Sequence, residues 1–350
     1  MTEAKKKLTP ISKYGRYGLP EYIAKSFPLP SESLNIGPGD DAAVITEEDG
    51  KVVISTDLLL EGTHFNLVYT PLTHLGYKTV VRGISDIFAM GGIPKHIFIG
   101  LGVSSRFAAE HIDEFYAGVS KACRKYGCDI AGGDLSASVN GLIISVTATG
   151  YVKPGNLLRR KGAIENDLIC VTGDLGAAYL GLQLLERERH LFESQKGSQP
   201  QLSGYEYLLE RELKPEIPVN TLNKLRESGI PVTSMTDICD GLAPSLLSIC
   251  HASAKGCRIF YDKIPVDDES GKMAEEFGME PVTAALSGGD DFEFLFTAPV
   301  SSFEALQSIP GISIIGHITA ESEGYALVLP DQGQVSITSN GWGDGTEEGK

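Results

Sequence analysis

The chain has 350 residues, 42% of them hydrophobic, and a formal net charge of -16. That length exceeds what one hydrophobic core ordinarily serves, which predicts two domains, and the negative field opposes nucleic acid and anionic membranes as partners. No apolar run reaches membrane-spanning length, the basic amino terminus lacks a following apolar block, and the six cysteines form no CxxC pair, so a cytoplasmic protein with reduced thiols is expected.

Residues 1–35 read as an irregular arm. Apolar stretches at 42–46 and 51–56 suit strands joined by the turn "EEDG". After Pro71 and Thr73 a helical pattern runs through "HLGYKTVVRGISDIFAM", stopped by Gly91 and Gly92 and sealed by Pro94. "HIFIGLGV" predicts a strand. Phe107, Ala108, Ile112, Phe115, Tyr116, Val119, Cys123 and Tyr126 recur at helical steps and mark an amphipathic helix ended by Gly127. A strand before "GGD" and another at "GLIISVTATG" complete this half.

"YVKPGNLLRRKGAIENDL" changes texture, with Pro, Gly and basic residues, and predicts a crossing between domains. Strand and helix then alternate through "LICVTG", "LGAAYLGLQLLER", "VTSMTD", "GLAPSLLSICHASAK", "CRIFY", "FEFLFT", "SFEALQS", "SIIGHI" and "YALVLP". Polar residues from Glu186 to Gly204 read as a surface excursion. A glycine-aspartate turn beside a strand recurs in both halves, the pattern an ancient duplication would leave.

The chemistry concentrates in aspartates. Asp40, Asp41, Asp57, Asp134, Asp237, Asp240, Asp290 and Asp291 read as strand-end residues beside glycine or small neighbours, while Asp86 interrupts an apolar helix. Each alone is ordinary turn or cap chemistry. Gathered together, carboxylates repel one another and need cations, and oxygen ligands favour a hard ion such as magnesium over zinc. Magnesium commonly shares its shell with phosphate oxygens, which points to a metal-bound nucleotide. "GPGDDA" fits the loose dinucleotide fingerprint only weakly, since two carboxylates fill its middle and no helix follows. No P-loop is present. Arg159, Arg160 and Lys161 stand near a glycine-aspartate turn leading into a helix, where a guanidinium suits a phosphate. His64 is a candidate substrate contact, and Trp342 offers a face for a flat cationic heterocycle.

In this order, "GPGDDAAVI", "ISTDLLLEGTHF", "RGISDIFAMGGIPK", "AGGDLSAS", "RRKGAIENDLICVTG", "TDICDGLAPSL" and "LSGGDDFEFLFT" resemble the thiamine-monophosphate kinase family, in the superfamily of aminoimidazole ribonucleotide synthetase and selenophosphate synthetase. The resemblance implies an α/β (α+β) two-domain fold of mixed sheets flanked by helices. It implies an amino-terminal domain over 1–150 that dimerises and carries metal-binding carboxylates, a carboxy-terminal domain over 151–340 that completes the site, and a tail over 341–350. ATP and thiamine monophosphate are the implied substrates, with several Mg2+ ions and a homodimer. The family's metal positions fall on Asp41, Ser55 or Thr56, Asp57, Asp86, Asp134, Asp237 and Asp240, with Asp40 adjacent; Asp57, Asp86 and Asp134 carry the catalytic role. Gly133, Asp134 and Arg160 match nucleotide contacts, and Cys239 stands where a serine often touches ATP. His64, Asp290 and Trp342 match the positions that hold thiamine phosphate, Asp290 being one methylene shorter than the usual glutamate.

The implied reaction moves the γ-phosphoryl group of ATP onto thiamine monophosphate. An acceptor phosphate with a second pKa of about 6 is already ionised at neutral pH, so no dedicated base is expected. Two alternatives are another ATP-using enzyme of the superfamily, similar to aminoimidazole ribonucleotide synthetase, and a non-catalytic acidic metal-binding protein. The latter would bind cations without forming ADP.

Overall fold

The structure is a computed structural model and describes residues 34–36, 41–47, 50–194 and 199–338. The expectations for Asp40, for Trp342 and the tail, and for the arm before β1 lie outside the described residues.

The first half builds a six-stranded mixed sheet from β1 (Leu34–Ile36), β2 (Ala43–Glu47), β3 (Gly50–Leu60), β4 (Ile93–Val103), β5 (Asp129–Ala137) and β6 (Ile143–Val152), in the order β1-β2-β3-β6-β4-β5. Helix α1 (Leu72–Ala89) joins β3 to β4, and α2 (Ala109–Tyr126) makes the crossover that the parallel pair β4 and β5 requires. The two-residue period of β3 and β6 sends Val53, Leu59, Ile144, Val146 and Ala148 to one covered face. Against that face lies α1, whose Val80, Val81, Ile84 and Ile87 are wholly buried, each worth about 1.5–3 kcal/mol of transfer free energy. The two helices touch through their backbones. A Cβ on Gly76 would sit 2.0 Å from the Phe115 carbonyl oxygen, and one on Gly118 1.8 Å from that of Thr73, so only glycine permits this approach.

The second half holds β7 (Leu168–Thr172), β8 (Ser234–Ile238), β9 (Lys255–Phe260), β10 (Glu293–Ala298), β11 (Ile312–Ala320), β12 (Tyr325–Val328) and β13 (Gln334–Ser336), in the order β13-β12-β9-β11-β7-β10-β8. Its helices are α3 (Ala177–Ser194), α4 (Glu206–Leu213), α5 (Val219–Glu227), α6 (Leu242–Ser253), α7 (Asp268–Glu276), α8 (Pro281–Ser287) and α9 (Phe303–Gln307). Strands β7, β8 and β10 are buried on both faces. From β7 and β10, Leu168, Cys170, Phe294 and Phe296 join the core of the first half, while Ile169, Val171 and Leu295 join a second core with α6. The halves therefore meet along continuous apolar packing, and the seam is where polar groups gather.

Three sequence expectations change. β3 runs on to Leu60 and β5 runs through "GGD", so Asp57 and Asp134 lie inside strands instead of at strand-end turns. α3 continues to Ser194 through residues expected to form a surface excursion; Arg189 braces it, 2.6 Å from Glu186 and 3.0 Å from Glu193 at helical spacing. Helices α4, α5, α7 and α8 and strands β1 and β13 have no counterpart in the sequence reading, and β1, paired with β2, begins inside the stretch 1–35 expected to be an irregular arm. Among the described residues no helix is long and apolar enough to cross a membrane.

Candidate active site

Four aspartates reach the seam from four distant segments. Asp41 precedes β2, Asp57 points from the covered side of β3, Asp86 comes from α1 and Asp237 from β8. One carboxylate oxygen each from Asp41, Asp86 and Asp237 lies within 4.8 Å of the other two. Ser55 Oγ donates to Asp86, Ser85 Oγ to Asp237, and Cys239 Sγ to Asp237 at 2.7 Å. Asp41 accepts from Thr236 Oγ1 at 2.8 Å and pairs with Arg160.

Burial pushes the Asp86 carboxyl well above its ordinary range, and the carboxylates of Asp237, Asp57 and Asp41 push it further. Burial, then Asp41, raise Asp237 to about 6. Burial also raises Asp57, against the opposing Arg82 guanidinium, and Asp57 Oδ2 is buried with no hydrogen-bond partner among the described residues. Converging buried carboxylate oxygens that raise Asp86 and Asp237 fit a hard divalent cation, which would relieve the repulsion that the protein's own groups leave in place.

Helix α1 also carries the cations. Lys78, Arg82 and Asp86 recur at four-residue steps and so share one face. The buried Lys78 Nζ lies 3.0 Å from Glu212 Oε1 and 2.9 Å from Asp290 Oδ2. Arg82 Nη1 donates to Asp290 Oδ1 at 3.0 Å, and its Nε lies 3.4 Å from Asp57 Oδ1. Burial alone would raise Asp290; Lys78 and Arg82 overcome it and hold the carboxyl below its usual range. Asp290 and Phe292 adopt left-handed backbone, φ 62° and 53°, a strain of about 1–3 kcal/mol each at non-glycine residues. That backbone lets neighbouring aspartates diverge. Asp290 meets α1, while Asp291 accepts the N–H groups of Gly176 at 2.8 Å and Ala178 at 3.4 Å at the start of α3.

Beside the acids opens a cleft of about 460 Å3, whose lining includes His64, Tyr69, Arg82, Tyr179, Glu186 and Asp290. Cys239 and the exposed Asp240 also border it. His64 Nδ1 accepts the Leu60 N–H at 3.1 Å, and burial followed by Arg82 lowers its pKa, so the neutral ring carries its proton on Nε2.

Other expected positions stand apart in the single chain. The Thr56 hydroxyl bonds Thr147 Oγ1 at 2.9 Å on the exposed side of β3, away from Ser55. Gly133 and Asp134 are exposed on the edge strand β5. The register runs from Asp57 through Val146 and Ile99 to Gly133, so three strand spacings, about 14 Å, separate that edge from Asp57. Sequence reasoning missed Lys78, Arg82, Ser85, Glu212 and Thr236. The step from Lys78 to Arg82 to Asp86 was the available signal for the two cations.

Two halves of this topology, with acids converging at their seam, define the class: family models for AIR synthase related protein match the chain in order, the N-terminal domain over residues 39–152 and the C-terminal domain over 165–329. The thiamine-monophosphate kinase of Bacillus subtilis (strain 168) is 31% identical over 319 residues, covering 89% of this chain and 93% of the relative. That of Methanospirillum hungatei JF-1 is 34% identical over 291 residues, covering 83% and 88%. The solved structure of AaThiL complexed with AMPPCP and TMP superposes with a TM-score of 0.80 at 27% identity, covering 96% of this chain and 99% of that one. Within the AIR synthase related proteins, the chain belongs to the thiamine-monophosphate kinase family.

Proposed function

We propose that this enzyme transfers the γ-phosphoryl group of ATP to thiamine monophosphate, giving thiamine diphosphate and ADP, the last step in making thiamine diphosphate. The observation that carries the reading is the convergence of Asp41, Asp86 and Asp237 beside a cleft of about 460 Å3, in a chain that follows its kinase relatives over most of its length. The neighbour complexed with AMPPCP and TMP supports the same pair of substrates.

Asp41, Asp57, Asp86 and Asp237, with Ser55 behind Asp86, would hold Mg2+. Bound there, magnesium would offset the negative charge of the phosphate groups and of the transferring phosphoryl. The chain's own residues do the rest by position. The acceptor phosphate arrives already ionised, so no side chain has to remove a proton from it. Arg160, anchored beside Asp41, suits a nucleotide phosphate; Asp240 at the cleft border suits a further metal, and Cys239 a contact to ATP. Thr56 and Asp134, which stand away from the acids in the single chain, and Asp40 enter this reading only as metal positions that the family implies, and Asp290 and Trp342 as its implied thiamine contacts.

In this reading residues 1–150 form the dimerising, acid-bearing domain, residues 151–340 close the cleft, and the enzyme works as a cytoplasmic homodimer. The uncovered side of the first sheet, with Leu58 and Phe98 exposed among the described residues, supports pairing there. Mixing the protein with ATP, magnesium and thiamine monophosphate and detecting thiamine diphosphate by mass tests the function. ADP formation that ignores thiamine monophosphate, or no ADP at all, would reject it.

A further inference from the structure

The cleft beside the acids is almost all neutral or acidic. Among its described lining residues Arg82 is the only lysine or arginine, and His64 is neutral. A pocket for thiamine monophosphate has to receive two unlike parts, a phosphate and a cationic ring. The ring has partners in Tyr69, Tyr179 and Glu186, the first donating to the third at 2.7 Å. The phosphate has one fixed cation.

We propose that Arg82 is a direct contact of the acceptor phosphate and sets the preference for the phosphorylated substrate over free thiamine; this rests on the proposed function. Three observations converge. Arg82 lines the cleft and sits one helical turn before Asp86, so its guanidinium stands between the ligand space and the acid cluster. Its hold on the protein is incomplete: Nη1 bonds Asp290, whereas Nε is buried, 3.4 Å from Asp57 and without a hydrogen-bond partner among the described residues. Its fork is the shape that phosphate oxygens accept in pairs. During transfer an acceptor-phosphate oxygen bonds the γ-phosphorus as the β–γ bridging bond breaks. Arg82 keeps its proton throughout and orients the acceptor through its other oxygens.

Calorimetric binding of thiamine monophosphate and of thiamine, with turnover, tests this in wild type, Arg82→Gln and Arg82→Lys. Arg82→Gln is expected to weaken thiamine monophosphate about 10- to 100-fold and thiamine by less than about twofold, with KM for ATP little changed. Arg82→Lys keeps the charge but loses the fork, so it should fall between the two, and it carries the test should Arg82→Gln not fold. A merely structural Arg82, holding Asp290 and Asp57, would weaken both ligands by the same factor. Equal weakening of both ligands, or unchanged selectivity in the two variants when the wild type turns over, overturns the role of Arg82 alone. A wild type that makes no thiamine diphosphate overturns the functional reading beneath it.

Discussion

Among the described residues, the buried acids around Arg211 and those at the seam differ in what meets the carboxylates. In the second half Arg211 draws Asp291 and Glu293 together, its Nη1 3.2 Å from Glu293 Oε1 and its Nη2 3.6 Å from Asp291 Oδ1. Thr172 Oγ1 donates to the second oxygen of Glu293 at 2.5 Å, and the backbone of α3 supplies Asp291. At the seam, by contrast, four aspartates share hydroxyls, a thiol, Arg160 beside Asp41 and the partly engaged Arg82, and no cation lies within ion-pair distance of Asp86 or Asp237 among the described residues. After burial, the next cause acting on Asp291 and Glu293 is Arg211, which lowers them; on Asp86 it is a neighbouring carboxylate, which raises it. The first cluster is closed by the protein. The second is left for something that arrives.

The sharpest way to break this contrast is to substitute one member of each cluster. Asp86→Asn removes a charge from an over-acidic site, so turnover should fall at least about a thousandfold while the melting temperature without magnesium stays level or rises. Thiamine diphosphate yield and a thermal melt read both halves of that statement. A variant that loses stability together with activity would make Asp86 a structural residue.

Arg211→Met should do the reverse. It strands Asp291 and Glu293 without their cation, and breaking a buried pair costs about 3–5 kcal/mol. Denaturant unfolding measures the loss, and the folded fraction should keep most of its specific activity. Normal stability in this variant would mean that hydroxyl and backbone donors alone satisfy the two acids.

These clusters also explain which parts were legible in advance. The alternation of strand and helix, the amphipathic period of α2 and the recurring Gly-Asp pairs were readable because periodicity and glycine act locally. "GGDD" was readable as a pair of acids, yet nothing local says that Asp290 turns to α1 and Asp291 to α3; that depends on two left-handed residues held by the surrounding fold. Asp57 and Asp134 were mistaken for strand-end residues because glycine and small neighbours resemble turns, whereas pairing extended both strands through them. Lys78 and Arg82 were not singled out, because nothing local distinguishes a buried cation on a helix from a solvated one, and their burial follows from a second sheet closing over α1.

Magnesium and pH separate the clusters more gently. The folded-state pKa of Asp237, about 6, lies above its unfolded value of 3.8. As pH rises between those values the unfolded chain gives up its proton first, so this group's contribution to metal-free stability falls across the window and is constant above it. A cation bound by the ionised cluster reverses the loss. The rise in melting temperature on adding magnesium should therefore be small near pH 5 and reach a plateau above pH 7. Arg211→Met should leave that magnesium profile unchanged, and Asp86→Asn should flatten it.

The smallest expected effect concerns Cys239, which borders both the cleft and the seam. Burial and then the Asp237 carboxylate push its thiol well up, so at neutral pH it remains protonated and donates to Asp237. Ser85 donates to the same oxygen, so the acid has a second donor whatever occupies position 239. Cys239→Ser retains a donor and should alter kcat and the KM for ATP by less than about threefold, while Cys239→Ala removes one and should cost about 0.5–1.5 kcal/mol in magnesium-dependent stabilisation. Steady-state kinetics with magnesium titration distinguish the two. A hundredfold loss in Cys239→Ser would mean that the sulfur acts through its size or polarisability, and that Asp237 is held in place by packing more than by the donors around it.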